Sequence, residues 1–545
     1  MLAAPRSTAR AALGPAMIAG ALAVVTALAL RYFFAVPMPA ELYADQATTR
    51  VPLPLFEALL TTFGSAAKHL YLIGGLIVEA GLTACAGLLY VGLRSVVLRA
   101  RATQPLSYAD VPFIALALWL LSAGLLAPLV GGGVFGTHLL GGAGMTLLSQ
   151  VAPDLVFALS LVAQMRRAPA TQAGMDGQPA GGYSRRTLLR QGAVAAATLG
   201  GGIALWQALT SGLGALIGAG AARATAPTVT LTNIPTRISP PPTPMYSPLA
   251  PVPGQSPEVT SANAFYYVSK NLAGDPVIGG ASWQLAITGK VDKPYDLTYD
   301  QLRALPQVTQ YHTLECISNE VGGPLMSNGY FTGVRLADVL NAAGIQRGAV
   351  EMIFTAADGY SDSLHLSQAL DDRSLIAYLL DGEPLPHPHG FPARLLIPGL
   401  YGMKNGKWLT ELSLSAGPYS GYWEQRGWSP EAIVKLTSRI DTPHDGDLLT
   451  AKTIAIAGVA YGGARGIARV DVSVDAGKSW RPALLKRPLG ALSWTLWEYV
   501  WTPPSGAQVL IVRAIDLDGN VQTPYPATPL PDGSAGYHAI TVTVR

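Results

Sequence analysis

The sequence has 545 residues, of which half are hydrophobic and only 13% are charged, and its mean hydropathy is +0.31. Soluble domains carry about 25% charged residues, so this composition excludes a wholly soluble chain and a disordered one. A net charge of +3 excludes a nucleic-acid-binding footprint, and two cysteines exclude a disulfide framework. Residues 1–221 hold 13 basic and 7 acidic residues, whereas residues 222–545 hold 24 and 27. The first part is therefore predicted to lie in a membrane and the second in water.

Five apolar stretches approach the roughly 20 residues that a membrane-spanning helix needs, at 11–34, 69–93, 111–130, 139–164 and 192–220. The shorter apolar segment 52–63 is predicted to lie in the membrane interface. With the N-terminus inside, the inner side collects ten arginines and the outer side only three basic residues, as the positive-inside rule requires. Five crossings would then place residues 222–545 on the far side of a bacterial inner membrane, in the periplasm.

The fifth stretch follows the motif Ser184–Arg190 (SRRTLLR), which resembles a twin-arginine export signal. Such a signal exports folded proteins, often with a cofactor already bound, although ordinary positive charge beside a membrane helix is the alternative interpretation. The predicted plan is a four-helix transmembrane region (1–167), a cytoplasmic linker with the motif (168–190), a fifth transmembrane helix (191–221), a Pro-rich linker (222–262), and two soluble domains (263–437 and 438–545).

Three polar residues of the membrane region are candidates for function. His69 and His138 lie near the outer ends of predicted helices, where a pair at matched depth would suit a haem, but interfacial polar residues are the simpler interpretation. Glu79 lies inside the second stretch, where acids are costly and often functional, unless the carboxyl group is merely packed and protonated.

The remaining sequence predicts a spacer and then two folded domains. Ten prolines within 223–262 favour an extended, semi-rigid linker that holds the soluble part off the membrane or drapes over it. In the first domain we expect a strand at Trp283–Val291, a helix at Thr298–Leu305, and a second helix at Leu336–Ala343 ended by Gly344. Alternating strands separated by turns predict a β-sandwich in the second domain, with strands at Arg469–Val474, Val509–Ile515 and Ala539–Val544.

Two segments of the first domain carry the chemistry. Cys316 is the only cysteine outside the predicted membrane region, and such a thiol is either buried and inert or used, for example as a ligand of a soft or high-valent metal. Gly322 and Gly323 follow it and permit a close approach of the backbone. About 70 residues later, 382–408 places histidine, arginine and two lysines on a loop rich in Pro and Gly. This segment is either an anion-binding cradle or a surface loop with incidental charges.

In this order the two segments resemble the sulfite oxidase family of molybdopterin enzymes. The shared marks are Leu-x-Cys-x-x-Asn at 314–319, His-Gly-x-Pro-x-Arg at 389–394, Pro-Gly at 398–399 and Lys-Trp at 407–408. The resemblance covers the soluble part of the chain and implies an α+β molybdopterin-binding domain followed by an immunoglobulin-like β-sandwich, whereas the transmembrane helical bundle predicted above lies outside it. It implies that Cys316 ligates molybdenum beside one pterin and that Ser318 and Asn319 shape its turn. The cofactor would be bound by Tyr267, Ser269, Lys270, Asn271, His389, Arg394, Lys404, Asn405 and Lys407.

The chain also departs from that family. Sulfite oxidases have arginines where this chain has Ser269, Glu320 and Val321, and a tyrosine beside the metal where it has Trp428. Of the arginines that bind substrate in the family, only Arg465 is retained. Because sulfite is a dianion that needs cationic donors, we expect a different, neutral substrate such as a sulfoxide or an N-oxide. Cys316, Trp428 and Arg465 are then the predicted catalytic residues.

The expected partners follow from the same comparison. No cytochrome b5-like haem module is visible, so electrons would be exchanged with a quinol through the helices or with a periplasmic cytochrome. Membrane lipid and a small-molecule substrate are the other predicted partners. In relatives the C-terminal sandwich pairs two chains, so the resemblance leaves open a homodimer formed through this domain. The rival hypothesis is a cofactor-free binding module tethered to the membrane.

Overall fold

The computed structural model of the chain divides into two compact units. The N-terminal unit comprises Met1–Gly220 with Asn271–Gly274, and the C-terminal unit comprises Ala221–Lys270 with Asp275–Arg545. The residues that the structure describes are 4–34, 36–48, 51, 55, 66–97, 106–137, 139, 142–167, 185–210, 236–250, 252–271, 274–450 and 452–545.

The N-terminal unit is helical throughout its described part. Its helices are α1 (Ala4–Phe34), α2 (Pro39–Thr48), α3 (Ala66–Val97), α4 (Val111–Trp119), α5 (Ala127–Leu129), α6 (Gly142–Arg167) and α7 (Arg185–Thr210). A π-helical segment, Leu120–Leu126, joins α4 to α5 without a break. Alanines of α1 pack against larger apolar side chains of α3, α4 and α6 to form the main core of this unit.

Four stretches of the described chain are long and apolar enough to cross a membrane: Ala12–Phe34, Leu70–Arg94, Tyr108–Leu129 and Gly142–Arg166. They coincide with the first four predicted spans. The fifth predicted span, 192–220, begins inside α7, which is helical but is not one of these four stretches. Its many Gly and Ala residues keep its hydropathy low, so the fifth crossing stays a prediction.

Several other membrane predictions fall outside the description. His138, the linker 168–184 and all of segment 52–63 except Leu55 lie outside the described residues, and so do the side chains of His69, Arg185 and Arg186. The haem pair and the export signal therefore stay predictions as well.

The described part of the Pro-rich linker lies along the C-terminal unit to which it belongs. The Ile238 N–H donates to Gly519 O over 2.8 Å, and the Ser247 N–H donates to Leu485 O over 2.8 Å. Of the two arrangements considered from the sequence, these contacts favour a segment draped over the folded domains.

The first domain of the C-terminal unit contains two mainly antiparallel sheets. One has the strand order β2-β1-β10-β5-β6, in which only β1 and β10 run parallel, and the other has the order β3-β4-β7-β8 with β9 beside β7. Both sheets contribute to one apolar core. The strands are β1 (Gln284–Gly289), β2 (Tyr295–Thr298), β3 (Gln307–Glu315), β4 (Met326–Arg335), β5 (Glu351–Ala356), β6 (Ser361–His365), β7 (Leu375–Leu380), β8 (Glu383–Pro384), β9 (Arg394–Leu396) and β10 (Leu409–Ser415).

Three helices complete this domain: α8 (Tyr299–Ala304), α9 (Leu336–Ala343) and α10 (Leu366–Ala369). The first two confirm the predicted helices. Thr298 caps α8 because its hydroxyl accepts the Gln301 N–H, while the Gln301 side chain accepts the Thr298 N–H. Gly344 ends α9 with a φ of +74°, a conformation that glycine adopts without steric cost.

The second domain of this unit is a β-sandwich, as predicted. Its sheets have the orders β11-β13-β17-β16 and β12-β19-β18-β14-β15, and they bury a common apolar core. The predicted strands are confirmed within β14, β18 and β19. The strands are β11 (Thr437–Thr442), β12 (Leu448–Leu449), β13 (Ile454–Tyr461), β14 (Arg469–Ser473), β15 (Arg481–Pro482), β16 (Leu484–Leu485), β17 (Thr495–Trp501), β18 (Gly506–Ile515) and β19 (His538–Val544).

One histidine of the sandwich makes its stability depend on pH. His538 Nδ1 accepts the Ile440 N–H over 3.0 Å, and burial, with a contribution from Arg439, lowers the pKa of His538 to about 4. Because the fold favours the neutral ring, this stabilisation is complete above pH 6.5 and is lost as the pH falls towards 4, by about 3 kcal/mol in all. His538→Asn keeps an acceptor without the titration.

We expect His538→Asn to flatten the fall in stability between pH 7 and pH 5, measured by urea unfolding followed through tryptophan fluorescence. The matched control is His444→Asn, since His444 is an exposed histidine beside Asp447. Equal pH slopes in the wild type and His538→Asn would contradict the assignment.

Candidate active site

Cys316 begins the loop between β3 and β4, and hydrogen bonds on both sides hold that loop. The Cys316 N–H donates to Leu325 O, and the Asn319 N–H donates to Cys316 O, both over 2.9 Å. The side chain of Asn319 bridges the loop, because its Oδ1 accepts the Leu325 N–H over 2.9 Å and its Nδ2 donates to Glu315 Oε1 over 3.0 Å. None of these bonds involves the sulfur atom, so the conformation of the loop does not depend on the thiol.

The thiol itself is half-buried and has one polar neighbour. Its Sγ lies 3.0 Å from Ser318 Oγ. Burial raises the pKa of Cys316, while Ser318 and the positive charge of Lys407 oppose that shift. A bound metal cation reverses this balance, since a coordinating thiol is deprotonated outright.

The basic loop brings Arg394 and His389 together. Arg394 is 5% exposed, and its Nη1 and Nη2 donate to His389 O and Asn405 O over 3.2 Å each. Its Nε has no partner, and no carboxylate pairs with it among the residues that the structure describes. Burial lowers the pKa of Arg394 to about 10. A buried guanidinium with an idle donor is suited to an anion.

His389 is neutral and Lys407 lies beside it. Burial, followed by the charges of Arg394 and Lys407, lowers the pKa of His389 to about 4. The His389 Nε2–H donates to Ala262 O over 3.1 Å, which leaves Nδ1 as an acceptor. Lys407 Nζ donates to Val268 O over 3.2 Å and to Pro388 O over 2.9 Å. The loop thus offers both donors and an acceptor.

A glycine makes room between these side chains. Gly390 has a φ of +110°, and a Cβ atom there would lie 3.0 Å from Lys407 Cβ and 3.2 Å from Arg394 Cβ. We expect Gly390→Ala to destabilise the chain by about 1–3 kcal/mol from backbone strain, and also to lower cofactor content because both basic side chains must move.

The matched control is Gly382→Ala, since Gly382 has a φ of +85° but open space around its missing Cβ. It should show the strain alone, measured by thermal unfolding, with unchanged metal content. Equal metal contents in the two variants would contradict the steric role of Gly390.

Two predicted cofactor ligands have structural roles instead. Lys404 is buried, and its three N–H donors go to Asp362 Oδ1 (2.6 Å), Glu424 Oε1 (2.7 Å) and Ser363 O (3.0 Å). An ammonium group has only three donors, so none remains for a phosphate.

The side chain of Asn405 likewise makes its hydrogen bonds within the protein. Its Nδ2 donates to Leu400 O and Tyr401 O, and its Oδ1 accepts the Ile397 N–H. The prediction that Lys404 and Asn405 bind the cofactor is corrected on these grounds: both brace the loop.

The upstream segment is only partly assembled with this site. Lys407 Nζ lies 4.9 Å from the centre of the Tyr267 ring, and Tyr267 and Ser269 both donate hydrogen bonds to the carboxylate of Asp275. Lys270 Nζ lies over the ring of Tyr422 at 4.9 Å. Asn271 is buried but groups with the N-terminal unit. Tyr267 thus contacts the basic loop directly.

The two remaining predicted residues are placed differently. Trp428 is 6% exposed in an apolar cluster with Ile317, the neighbour of Cys316, and its Nε1 has no partner among the described residues. Arg465 donates to Asp516 Oδ2 over 3.2 Å and to Val434 O over 2.9 Å. It lines a cavity of about 560 Å³ whose walls do not include Cys316. Its charge is therefore already paired, which weakens its predicted role towards an anionic substrate.

Sequence reasoning missed three buried groups near the thiol and the basic loop. Tyr266 interacts electrostatically with both Cys316 and Arg394, and burial raises its pKa. Burial raises the pKa of Glu315 to about 7, and its Oε2 has no partner within the described chain. Burial and Arg394 lower the pKa of His312 to about 3. Strand alternation could not have found them, because the last four residues of β3 are all buried and Tyr266 lies outside that strand.

These residues fit a soft metal carried by an anionic organic group. The thiol supplies a soft ligand, and the idle Nε of Arg394 supplies a buried cationic donor. The missing side chain of Gly390 lets Lys407 and Arg394 pack closely against the loop, so that both basic residues lie together.

Comparisons with known proteins agree with this fit. A family described as "Oxidoreductase molybdopterin binding domain" matches residues 273–423, and "Mo-co oxidoreductase dimerisation domain" matches residues 431–530. Mitochondrial sulfite oxidase of Macaca fascicularis is 30% identical over 305 residues, which cover 47% of this chain and 56% of the relative. Sulfite oxidase of Arabidopsis thaliana is 29% identical over 325 residues, covering 48% and 82%.

Two further matches are a nitrate reductase and a solved structure. The NADH nitrate reductase of Volvox carteri is 32% identical over 272 residues, covering 40% of this chain and 32% of the relative. The crystal structure of the sulfane dehydrogenase SoxCD from Paracoccus pantotrophus has a TM-score of 0.46 and 21% identity, and covers 56% of this chain and 90% of that one. The chain thus spans little more than half the length of the first mammalian relatives. With both domains in succession, residues 273–530 carry the two domains of molybdopterin-dependent oxidoreductases, and this part of the chain is similar to sulfite oxidases.

Proposed function

We propose that the chain is a membrane-anchored, periplasmic oxidoreductase that performs oxygen-atom transfer at a molybdenum bound by Cys316. The observation that carries this proposal is that the loop of Cys316 and the basic loop meet: a Cβ atom at Gly402 would lie 2.7 Å from Tyr266 Oη and 3.9 Å from Cys316 Cα, and the same basic loop carries the buried guanidinium of Arg394. When bound, a molybdenum–pterin group supplies two-electron oxygen-atom chemistry, and the protein supplies position and electrostatics.

The side chains have separable roles in this proposal. Cys316 ligates the metal, and Ser318 and Asn319 fix the direction of the thiol through the contacts described above. Arg394 and Lys407 bind the anionic parts of the pterin, while neutral His389 accepts a hydrogen bond through Nδ1. Further contacts with the cofactor are proposed for Tyr267, Ser269, Lys270 and Asn271. The unpartnered Nε1–H of Trp428 is available to donate to a substrate oxygen.

We propose a neutral substrate, a sulfoxide or an N-oxide, rather than sulfite. Ser269 is hydrogen-bonded to Asp275, and Arg465 is paired with Asp516. Glu320 and Val321 stand on the loop of Cys316, where they add an acid and an apolar side chain. Because a dianion needs cationic donors close to the reacting centre, this surrounding disfavours sulfite.

The anchor is part of the same proposal. Four helices of the described chain are apolar enough to span a bilayer, and α7, at about 39 Å for 26 residues, is long enough to serve as a fifth. Five crossings and the arginine distribution support a catalytic domain in the bacterial periplasm, and the twin-arginine motif is the proposed export route. An alkaline phosphatase fused after Arg545 should be active in intact cells, and an inactive fusion would argue for an even number of crossings.

The match to a dimerisation domain supports a homodimer. We propose that the β-sandwich is immunoglobulin-like and pairs two chains, and that a quinol or a periplasmic cytochrome exchanges electrons with the enzyme. Light scattering of the purified chain should give twice the mass of 56.9 kDa, after correction for detergent.

The central test is metal loading of the full chain. Protein made with cofactor synthesis should contain about one molybdenum per chain and reduce dimethyl sulfoxide or trimethylamine N-oxide with a viologen dye. Absence of molybdenum would contradict the proposed enzyme activity and favour a cofactor-free binding module. Efficient sulfite turnover by the loaded protein would leave the cofactor in place but overturn the substrate class.

A further inference from the structure

A polar cluster lies inside the apolar helices of the N-terminal unit. The Tyr43 hydroxyl of α2 lies 2.8 Å from Ser122 Oγ of the π-helical segment. Gln150 Nε2 of α6 donates to Ser122 Oγ over 3.0 Å and also to the Tyr43 oxygen. Polar side chains are costly inside helices that lie in a bilayer, so three of them joined across three elements indicate a function.

On the same two helical elements as Ser122 and Gln150, three buried polar atoms have no hydrogen-bond partner in the described part of the chain: Gln150 Oε1, Asp154 Oδ2 and Trp119 Nε1. Gln150 is 2% exposed and Asp154 is 7% exposed. The two lie four residues apart and so share one face of α6. Trp119 precedes Ser122 by three residues in one continuous helix. The unmet groups are therefore two acceptors and one donor.

The chemistry of these groups selects among ligands. A metal cation satisfies two acceptors but not an indole N–H, and an anion satisfies the N–H but is repelled by a carboxylate. A hydroxyl group both donates and accepts, so it meets all three. Glu79, the acid noted in the sequence, already accepts the Ala40 N–H over 3.1 Å and is not needed.

The surroundings of the cluster are apolar. Leu120, Leu121 and Leu125 of the π-helical segment expose their side chains, as a helix facing lipid does. π-Helical segments are rare and occur frequently at functional sites. A ligand that combines a ring bearing two hydroxyl groups with an apolar tail matches both the unmet polar atoms and this setting.

We propose that Gln150, Asp154 and Trp119, with the Tyr43–Ser122 pair behind them, bind the hydroxyl-bearing ring of a quinol. The inference rests on the proposed membrane anchor and assigns a place to one of the two proposed electron partners. Gln150 Oε1 and Asp154 Oδ2 accept from ring hydroxyls, and Trp119 Nε1 donates to a ring oxygen.

The test measures binding of decylubiquinol to the full chain in lipid nanodiscs without oxygen. Binding is monitored through the quenching of tryptophan fluorescence. Gln150→Leu and Asp154→Leu should each weaken binding at least tenfold. The matched control is Gln164→Leu, since Gln164 lies on the same helix but bonds to Ser160 and Pro15 away from the cluster. It should bind like the wild type, and decylbenzene, whose ring has no oxygen, should not bind.

Unchanged binding by Gln150→Leu and Asp154→Leu would overturn the site. Absence of saturable binding by the wild type would also overturn it and would leave water as the occupant. Molybdenum content and co-purification with lipid are measured on the same samples. Their loss would count against the proposed enzyme and anchor, whereas normal values without quinol binding would count against this inference alone.

Discussion

Replacing Cys316 with serine is expected to abolish turnover while the fold and the pterin remain. The loop keeps its shape because its hydrogen bonds run through the Cys316 main chain and the Asn319 side chain, not through sulfur. A hydroxyl group is a hard donor and a poor replacement for a soft thiolate. Loss of groups that merely orient metal ligands costs about 10–100-fold, so we expect loss of the ligand itself to cost more.

The measurement combines pterin fluorescence, molybdenum content and viologen-linked reduction of trimethylamine N-oxide. Cys85→Ser is the control, since the other cysteine is exposed on α3 and should leave all three unchanged. Wild-type turnover in Cys316→Ser would remove the ligand assignment. Loss of pterin together with turnover would show that the thiol has a structural role instead.

Local motifs were predictable because their signals lie within a few residues. Thr298 and Gly344 mark helix ends through bonds and backbone angles that involve their immediate neighbours. The Cys316 loop is similar, since Asn319 bridges Glu315 and Leu325 inside one short segment. The two helix ends can be inferred from residue type and spacing alone, whereas the role of Asn319 was implied by the resemblance to sulfite oxidases.

The partners of the basic residues were not predictable, because the fold supplies them from distant segments. Lys404 meets Asp362, 42 residues earlier, and Glu424, 20 residues later. The sequence shows a lysine in a basic loop but not the two carboxylates that neutralise it. Tyr266 was missed for the same reason, because its neighbours Cys316 and Arg394 lie on other strands and loops.

The number of membrane-spanning helices also could not be determined from the sequence. Hydropathy alone ranks α7 below the other four long apolar helices because its residues are small. Small residues both lower hydropathy and allow close helix packing, so composition does not separate a buried membrane helix from an interfacial one.

The contrast between two buried arginines leads to the second prediction. Arg513 is 6% exposed and is paired with Asp471 at 3.0 Å, whereas Arg394 is 5% exposed and, among the residues that the structure describes, is hydrogen-bonded to two backbone carbonyls and to no carboxylate. Removing one partner of a buried ion pair leaves an uncompensated charge and is strongly destabilising. Removing an unpaired buried charge relieves a desolvation cost, although two hydrogen bonds are lost with it.

Arg394→Met is therefore expected to leave the cofactor-free chain as stable as the wild type or more stable, while molybdenum content falls at least tenfold. Thermal unfolding is measured on protein made with and without cofactor synthesis. A ligand at a hundredfold excess over its Kd stabilises the native state by about 2.7 kcal/mol, and this gain should vanish in Arg394→Met.

Arg513→Met is the matched control and should show the opposite pattern. It leaves Asp471 without one of its partners, so both forms lose stability, but cofactor content per folded chain stays at the wild-type level. If Arg394→Met destabilised the cofactor-free chain as strongly as Arg513→Met and still retained molybdenum, Arg394 would be a structural residue. The two variants thus distinguish Arg513, whose charge stabilises the fold, from Arg394, whose charge is proposed to bind a ligand. The Nε of Arg394, which has no partner among the described residues, is the observation behind this distinction.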